Sequence, residues 1–554
     1  MITRSVLRPA FALILSSLAI ASQAPVQTTA KTGTRTPDLI LTGGRVFTAE
    51  AERPWAEAIA IRGDRIVAVG TTAEIEALAR PSTRRIALGG RVVVPGFNDA
   101  HTHIFANSAG VQFSTGPARP PDPSIELVLD SVAAIAKRTP RGTIIETAVG
   151  EAILGNPAAR RGVLDRVAPA HPVILTGWSG HGAVINSAAI RAAGIDTTAD
   201  PEGGVMERDA NGHVTGRMDE YVMYGAGRRL NVARGAAATI AVMRAYDGDA
   251  AKLGITTVQD MASGFTPALL AAVNRAGALR VRHHVIPFEM TGTQTREHVW
   301  RGVRAQDALT YVAGTKWILD GTPVERLALM REPYFDRAGW YGRPSFSLDT
   351  IKVMLREALA HGQQPMFHAV GDSSIALVFT AMRAVAPDST WRRVRVRLEH
   401  ADNLMSDQFA DAKSLGVVVV QNPIHLSLPF RGTRWSEARA SRSDDLRGIL
   451  EAGIPLAIGT DGPPNPYVNL MLAVMNPANP TRALTREQAV TAHTLTSAYA
   501  EGLEREKGSI VVGKLADLTV LSQDIFTVPL EALPGTTSVL TLVGGKATRN
   551  AFSR

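Results

Sequence analysis

Eight short apolar segments recur along the middle of this chain of 554 residues, and they constrain its fold more than any other feature. Patterns typical of amphipathic helices lie between several of them; Ser347, for example, is placed to cap a helix that Gly362 ends. The segments read RVVVPGFNDAH, GITTVQDMA, LRVRHHVIPFEM, TYVAGTKWILDG, QPMFHAVGD, RVRLEHADN, VVVVQNPIHL and PLAIGTDGPP. Strands that alternate with helices form parallel sheets, so eight such units over roughly 400 residues predict an α/β fold, the (β/α)8 TIM barrel.

Short β-rich segments stand at both ends of the chain, at 38–70 and 508–550. The first of these regions contains the turn Gly63-Asp64, which predicts a hairpin. The sequence therefore predicts three structured parts, namely a small β-sandwich domain from 38–94 and 505–554, a barrel domain at 95–504, and a large insertion after barrel strand 1 at about 112–250.

The chain begins with the features of a secretory signal peptide. Two arginines precede an apolar stretch at 9–21, which ends in a small-x-small cleavage pattern and is too short to span a membrane comfortably. We therefore expect a signal peptide at 1–21 and a linker at 22–37. The mature protein is then a secreted or periplasmic bacterial protein without a membrane anchor.

The composition excludes several classes of function. No cysteine is present, which removes disulfides, thiolate zinc sites and cysteine nucleophiles, and leaves His, Asp, Glu and Lys for demanding chemistry. The formal net charge of +8 becomes +6 when residues 1–21 are removed with their two arginines. The charges are scattered, without a basic run beside aromatic residues, so we expect a solvated surface and no nucleic-acid interface.

Polar side chains stand at the ends of the predicted strands. His101 and His103 occupy alternate positions, so in an extended segment both side chains point to one face. Two neutral imidazoles on one face suit a metal ion, although this pair alone is a weak signal. The later strand ends carry Lys316, His368, His400 and Asp461. Because a TIM barrel places its reacting groups at the C-terminal ends of its strands, we expect all six residues to meet at one site.

Taken together, the motifs resemble the amidohydrolase superfamily and, within it, the YtcJ-like branch of amidohydrolase family 3. The resemblance covers essentially everything after the linker, and the motifs are specific in this order although each alone is not. They are PGFNDAHTH (95–103), SGHGAVINSAAI (179–190), GITTVQD (254–260), TKWILDG (315–321), HAVGD (368–372), RLEHAD (397–402), TDGPP (460–464) and GSIVVGKLADLTVL (508–521).

The resemblance implies a metal-dependent hydrolase. The implied ligands of one or two divalent metal ions, usually zinc, are His101, His103, His368, His400 and Asp461. Lys316 matches a lysine that carries CO2 on its amine in many members, and such a carbamate is an anion that can bridge two ions. The alternative for Lys316 is a buried lysine paired with Asp320 or another carboxylate, beside a single metal ion.

The implied reaction is hydrolysis of an amide-type C–N bond by metal-activated water, with Asp461 as the general base. The expected partner is a small-molecule substrate, such as an N-acyl or N-formyl amine or a cyclic amide. The candidate substrate-binding residues are His181, Trp178, Asp320 and His425. For His181 a purely structural role in its loop is an equal alternative.

Several other residues have two possible roles or an expected structural role. Five aromatic residues either line an apolar pocket or belong to the core, namely Phe105, Trp178, Trp317, Phe430 and Trp435. His283 and His284 are adjacent in a strand and point oppositely, so we expect both to be structural. His213 is expected in a solvated loop.

Two other functions stay open. A deaminase of the same superfamily would attack a ring carbon that bears an amino group, and the lysine in TKWILDG argues against it. A secreted binding protein without catalysis would keep the fold, and the presence of all six strand-end groups argues against that. Both a monomer and a homo-oligomer are compatible with the sequence.

Overall fold

The computed structural model describes residues 36–104, 111–112, 123–291, 296–298, 300–303, 307–428 and 431–552. The predicted signal peptide, nearly all of the predicted linker, Phe105 and Phe430 lie outside these residues. Within the described ranges, no helix is both long and apolar enough to cross a membrane.

The first part of the described chain consists mainly of short strands. The strands are β1 (Leu39–Thr42), β2 (Arg45–Phe47), β3 (Trp55–Ala56), β4 (Ala58–Arg62), β5 (Arg65–Gly70), β6 (Arg84–Ala87), β7 (Val92–Pro95) and β8 (Phe97–Thr102). Helix α1 (Thr72–Glu76) follows β5. Strands β4 and β5 pair antiparallel, which confirms the hairpin predicted at Gly63 and Asp64.

The region between β8 and the next long strand contains six strands and six helices among the described residues. The strands are β9 (Val111–Gln112), β10 (Ile145–Val149), β11 (Val173–Gly177), β12 (Gly182–Ile185), β13 (Gly204–Arg208) and β14 (Val214–Glu220). The helices are α2 (Ile125–Arg138), α3 (Glu151–Leu154), α4 (Arg161–Val167), α5 (Ser187–Ala192), α6 (Tyr221–Arg234) and α7 (Ala236–Leu253). The strands form one sheet in the order β13-β14-β12-β11-β10-β9. It lies in the region predicted to be an insertion, and we call it the inserted sheet.

Strands and helices alternate through the rest of the middle of the chain. The strands are β15 (Ile255–Ala262), β16 (Arg282–Pro287), β17 (Met290–Thr291), β18 (Arg296–Glu297), β19 (Thr310–Val312), β20 (Thr315–Ile318), β21 (Pro365–Ala369), β22 (Arg397–His400), β23 (Val418–Gln421) and β24 (Leu456–Ile458). The helices are α8 (Pro267–Arg275), α9 (Leu348–Ala360), α10 (Asp372–Val385), α11 (Asp388–Val394), α12 (Phe409–Leu415), α13 (Arg431–Arg434), α14 (Glu437–Ala440), α15 (Leu446–Glu451), α16 (Pro466–Met475), α17 (Arg486–Ala492) and α18 (Leu495–Ala500). The 3-10 helices are Ser406–Gln408, Pro423–Ser427, Pro480–Arg482 and Leu530–Gly535. Ser347 caps α9 by accepting a hydrogen bond from the backbone of Thr350, as predicted.

The chain closes with three strands that return to its beginning. They are β25 (Leu518–Leu521), β26 (Ser538–Val543) and β27 (Lys546–Asn550). One six-stranded sheet has the order β27-β26-β25-β7-β2-β3 and so joins both ends of the described chain, while a four-stranded sheet has the order β5-β4-β1-β6. Buried apolar side chains from both sheets pack in one cluster that includes Leu41, Ile59, Val93, Leu518 and Leu540.

Two parallel sheets form the centre of a mixed α/β fold. Their orders are β19-β16-β15-β8 and β20-β21-β22-β23-β24. A parallel bridge between Phe288 and Lys316 links the end of β16 to β20. At the other edges of the two sheets, the backbone N–H of Asp461 donates to the carbonyl of His101 at 2.9 Å, so the end of β24 lies beside the end of β8.

Two of the eight predicted apolar segments are each divided by a glycine into two strands that belong to different sheets. Gly96 separates β7 from β8, and a Cβ there would lie 2.2 Å from the side chain of Thr256, so only glycine permits this approach. Gly314 separates β19 from β20 and adopts a φ of 79°, a conformation that glycine reaches without strain. The sequence pattern did not resolve these breaks because the apolar character continues on both sides of each glycine.

Candidate metal centre

Asp461 follows β24 and lies among histidines that end the parallel strands. Its carboxylate oxygens lie 3.7 Å from His101 Nε2, 3.8 Å from His103 Nε2 and 3.6 Å from His400 Nδ1. These distances are too long for hydrogen bonds. Two ligands at about 2.1 Å from one zinc ion are about 3.4 Å apart in a tetrahedral site. The two Nε2 distances, from His101 and His103, therefore fit ligands that share one ion with Asp461.

The donor atoms are also suited to a metal. Within the described residues, one group of His, Asp and Glu side chains has all its ligand atoms within 4.8 Å of one another, namely His101, His400 and Asp461. The buried Nε2 atoms of His101 and His368 have no hydrogen-bond partner among the described residues. A buried polar atom without a partner is costly, and a bound cation would satisfy it. The residues present therefore fit a divalent ion.

Four imidazole rings lie next to one another in the order His103, His101, His400 and His368. The ring centroids of His101 and His400 are 4.6 Å apart, those of His400 and His368 are 4.5 Å apart, and those of His101 and His103 are 5.3 Å apart. Burial is the largest cause that lowers the pKa of each ring, to about 3 for His103. The rings are therefore uncharged at neutral pH, which leaves a nitrogen lone pair on each for a cation.

Asp461 carries a negative charge beside these rings. Burial raises the pKa of Asp461, but His101, His425, His400 and His103 outweigh that effect and hold the pKa well below its usual value. One fifth of the side chain is exposed, so the carboxylate faces the open part of the site.

Glu399 orients His101. The Nδ1 atom of His101 lies 2.6 Å from Glu399 Oε2, so this nitrogen carries the hydrogen and Nε2 is left for the metal site. Arg397 donates to both oxygens of Glu399, at 2.7 and 3.1 Å. Burial raises the pKa of Glu399, but Arg397 and His101 together lower it to about 2. Sequence reasoning missed Glu399 although it stands next to His400 in RLEHAD.

Asn422 orients the ring of His400 in the same way. His400 Nδ1 lies 2.8 Å from Asn422 Oδ1, an acceptor, so Nδ1 carries the hydrogen there too. Asn422 follows the apolar run of β23 directly, a polar residue in the QNP sequence that our sequence reasoning did not assign.

Lys316 lies on β20 and is completely buried. Its Nζ has no hydrogen-bond partner among the described residues, so the pair with Asp320 considered above is not formed. Burial lowers the pKa of Lys316 to about 8, although the nearby carboxylates of Glu399 and Asp461 raise it.

Asp320 binds the loops around the site. Its carboxylate accepts hydrogen bonds from the backbone N–H groups of Leu329, Val370 and Gly371 and from the hydroxyl of Ser374, at 2.6–3.0 Å. The residue is completely buried. The structure thus places Asp320 as a buried anchor of the segments after β20 and β21, and its predicted role in substrate binding stays a prediction.

Two of these residues have unusual backbone conformations. His400 has a φ of 68° and Asp461 a φ of 43°, both in the left-handed region that favours glycine. Such strain persists where the surrounding structure fixes it, and it is common at functional sites. Here it turns each side chain sharply at the end of its strand.

His425 bridges two carboxylates. Its Nδ1 lies 3.1 Å from Asp402 Oδ2 and its Nε2 lies 3.4 Å from Asp461 Oδ2. Burial would lower the pKa of His425, but Asp402 and Asp461 raise it to about 10, so the ring is a cation at neutral pH. His425 therefore holds Asp461 directly, a contact that sequence reasoning did not anticipate.

The inserted sheet brings further candidates to the same place. The ring of His181, just before β12, is 4.7 Å from the ring of His368 between centroids. Trp178 is half-buried in the same turn between β11 and β12. Trp317 and Trp435 are 3% and 2% exposed and pack in apolar clusters, which agrees with the core alternative for both.

His283, His284 and His213 lie where they were expected. His283 Nε2 lies 2.8 Å from Asp247 Oδ1, and His284 Nε2 lies 3.0 Å from the carbonyl of Ala313. Both side chains are buried in β16. His213 is exposed in the turn between β13 and β14.

The chain belongs to the amidohydrolase family, whose profile matches residues 84–549. It is 27% identical over 545 residues to Protein LONG AFTER FAR-RED 3 of Arabidopsis thaliana, covering 92% of this chain and 91% of that protein. It is 27% identical to the N-substituted formamide deformylase of Arthrobacter pascens, covering 89% and 94% of the two chains. It is 25% identical to the putative amidohydrolase YtcJ of Bacillus subtilis (strain 168), covering 88% and 94%.

Solved structures share the fold. An uncharacterized metal-dependent hydrolase from Pyrococcus horikoshii OT3 superposes with a TM-score of 0.69 at 20% identity, covering 89% of this chain and 99% of that one. An adenosine deaminase from Xanthomonas campestris, with bound zinc, superposes with a TM-score of 0.52 at 16% identity, covering 93% of each chain.

Proposed function

We propose that this chain is a metal-dependent hydrolase that cleaves amide-type C–N bonds in N-acyl or N-formyl amines or cyclic amides. The observation that carries the proposal is the convergence of His101, His103 and His400 on Asp461, at 3.6–3.8 Å. The similarity to a protein named N-substituted formamide deformylase supports the choice of an amide-type bond.

The proposed metal is zinc, as one or two ions. The residues that would hold it are His101, His103, His368, His400 and Asp461. A divalent ion bound there supplies Lewis acidity, which acidifies water and polarises a carbonyl group. The neutral rings and the anionic carboxylate described above are the protonation states that such binding needs.

Asp461 is the proposed general base. It accepts a proton from the attacking water and returns it to the leaving nitrogen as the C–N bond breaks. His425 Nε2, at 3.4 Å from Oδ2, limits the orientations of this carboxylate. The exposed fifth of the Asp461 side chain gives substrate access to it.

Lys316 is the proposed site of carboxylation. A neutral Nζ attacks CO2, an N–C bond forms and one proton leaves the nitrogen, so the product is an anionic carbamate. The support is the complete burial of Nζ without a hydrogen-bond partner among the described residues, next to the histidines whose pKa its charge lowers.

The proposal includes the finer organisation of the protein. Strands β8, β15, β16 and β20–β24 would close as one (β/α)8 barrel, supported by the bridge from Phe288 to Lys316 and the hydrogen bond from Asp461 to His101. The two terminal sheets would form the β-sandwich domain. Residues 1–21 would direct export to the periplasm or beyond, because they carry the basic, apolar and cleavage features of a signal peptide.

A hydrolysis screen with the zinc-loaded protein tests the function. The substrates are N-formyl amines, N-acyl amino acids, lactams and cyclic amidines, with the chelated apoprotein as the control. We expect release of amine and carboxylate from at least one amide class and none from the apoprotein. Ammonia release from amidines alone would identify a deaminase, and a purified protein that binds no metal would contradict the proposal.

A further inference from the structure

His181 reaches the metal centre from outside the central strands. It belongs to the inserted sheet, yet its ring lies 4.7 Å from that of His368 between centroids. Its side chain is 9% exposed, so it is buried at the wall of the site.

All the ring hydrogen bonds that His181 makes to described residues use one nitrogen. Nδ1 lies 3.1 Å from both carboxylate oxygens of Glu220 and 3.1 Å from the hydroxyl oxygen of Tyr224. Because a carboxylate only accepts, Nδ1 carries a hydrogen, and Nε2 is left for another partner. Tyr224 also donates to Glu220 Oε2 at 3.2 Å, which fixes the carboxylate from a second side.

Glu220 is held in a demanding conformation. It ends β14 and precedes α6 with a φ of 58° and a ψ of −125°, which is rare for a residue with a side chain. Its backbone N–H donates to the carbonyl of His181 at 3.1 Å, so backbone and side chain both bind the same residue. Gly321, from the TKWILDG motif, makes room: a Cβ there would lie 2.6 Å from Glu220 Oε1.

We infer that Glu220 is the positioning residue of His181, and that His181 contacts the amide group of the substrate through Nε2 beside His368. The inference deepens the proposed function and rests on it for the identity of the substrate. Metal binding is the alternative role for His181, and the zinc content of the His181→Asn variant distinguishes the two roles. Two distant parts of the chain build this arrangement, which supports the inference. The inserted sheet provides the imidazole of His181 and the carboxylate of Glu220, while the segment after β20 leaves room for that carboxylate.

Kinetics on a formamide or N-acyl substrate test the inference through a double-mutant cycle. We expect His181→Asn to lower kcat/KM by about 10- to 100-fold, Glu220→Gln to lower it less, and the double variant to match His181→Asn alone. Tyr224→Phe, which removes one hydroxyl, should give a smaller decrease of the same kind. Effects of Glu220→Gln and His181→Asn that multiply in the double variant would overturn the positioning role.

Two controls separate positioning from stability. Asp247→Asn removes a buried carboxylate from His283, away from the site, and should lower the melting temperature without lowering kcat. Zinc content should be unchanged in His181→Asn, and its loss would show that His181 is a ligand instead.

A crystal structure of Glu220→Gly gives a readout that needs no activity. Glycine accepts the positive φ of this position more easily than glutamate, so the backbone does not oppose the change. We expect the His181 ring to rotate or to occupy more than one position; an unmoved ring would overturn the inference. If the wild-type protein hydrolyses no amide, the proposed function fails, while this structure still decides whether Glu220 positions His181.

Discussion

His101 and Glu399 are both completely buried, and their side chains meet at 2.6 Å between Nδ1 and Oε2. The carboxylate comes from β22 and the imidazole from the end of β8, which are far apart in sequence and share the interior of the central strands. Arg397 donates hydrogen bonds to the same carboxylate and to the carbonyl of Ala100. The orientation of a candidate metal ligand therefore depends on a partner that does not itself face the metal.

Glu399→Gln should weaken zinc binding by about 10- to 100-fold, because a neutral amide replaces the carboxylate that orients the ring of His101 and raises the basicity of its Nε2. Competition with a fluorescent chelator measures the affinity. Asp209→Asn, which alters an exposed carboxylate beside the exposed His213, is the matched control and should bind zinc as the wild type does. Equal affinity in both variants would contradict the orienting role.

Asp461→Asn should keep most of the metal but lower kcat by about 10²- to 10⁴-fold, because an amide cannot accept the proton of the attacking water. Metal analysis and steady-state kinetics on the best substrate of the screen measure the two effects. Unchanged turnover would remove Asp461 from the role of general base.

Lys316→Met should abolish a carbamate that the wild-type protein forms. Incubation with ¹³C-labelled bicarbonate and carbon NMR should show a carbamate resonance in the wild type that the variant lacks. The variant should also bind fewer metal ions, because the bridging anion is gone. A wild-type spectrum without this resonance would favour a single metal on the His and Asp set.

His493 should make the fold sensitive to acid. Burial lowers its pKa from 6.5 to about 4, so below pH 6.5 the unfolded chain takes up a proton that the folded chain refuses until about pH 4. The free energy of unfolding therefore falls as the pH drops through this window, by about 2 kcal/mol at pH 5 from this residue. Urea unfolding of His493→Gln and wild type at pH 7 and pH 5 should show a smaller loss in the variant; equal losses would contradict the assignment.

Arg434 should stabilise the packing of α3 against the segment after β20. Its guanidinium pairs with Glu151 at the start of α3 and with Asp336 in the segment after β20, and its side chain is only 10% exposed. Arg434→Met should lower the free energy of unfolding by about 1–3 kcal/mol, measured by urea unfolding. Arg383→Met removes a well-exposed pair with Asp411 and should cost less than about 1 kcal/mol. A cost for Arg434→Met no larger than for Arg383→Met would contradict the role.

The meeting of His101, His400 and Asp461 could be predicted from the sequence because each is a polar residue within or directly after an apolar run. His101, His400 and Asp461 needed only the rule that parallel strands end at one edge. The placement of Asp320 could not be predicted in this way. Its carboxylate is used by backbone groups of two loops, and no spacing in the sequence reports such contacts.

The carboxylates that orient the histidines were missed for a related reason. Glu399 and Glu220 bind rings that are 298 and 39 residues away. Their pairing depends on how the central strands and the inserted sheet pack, which apolar periodicity does not encode. The sequence around Glu220 gives even less indication of its role, because its side chain is placed by a backbone conformation that glutamate seldom adopts.

The pairing of β7 with β25 has a consequence for biosynthesis. Val94 lies opposite Thr519, so β7 has no neighbour on that side until more than four hundred further residues have left the ribosome. During translation the strand edge stays open to incorrect pairing, and the nascent protein depends on chaperones or on delayed collapse for longer than one whose neighbouring strands are consecutive. Truncation before β25 would leave that edge permanently unpaired, and such fragments should aggregate.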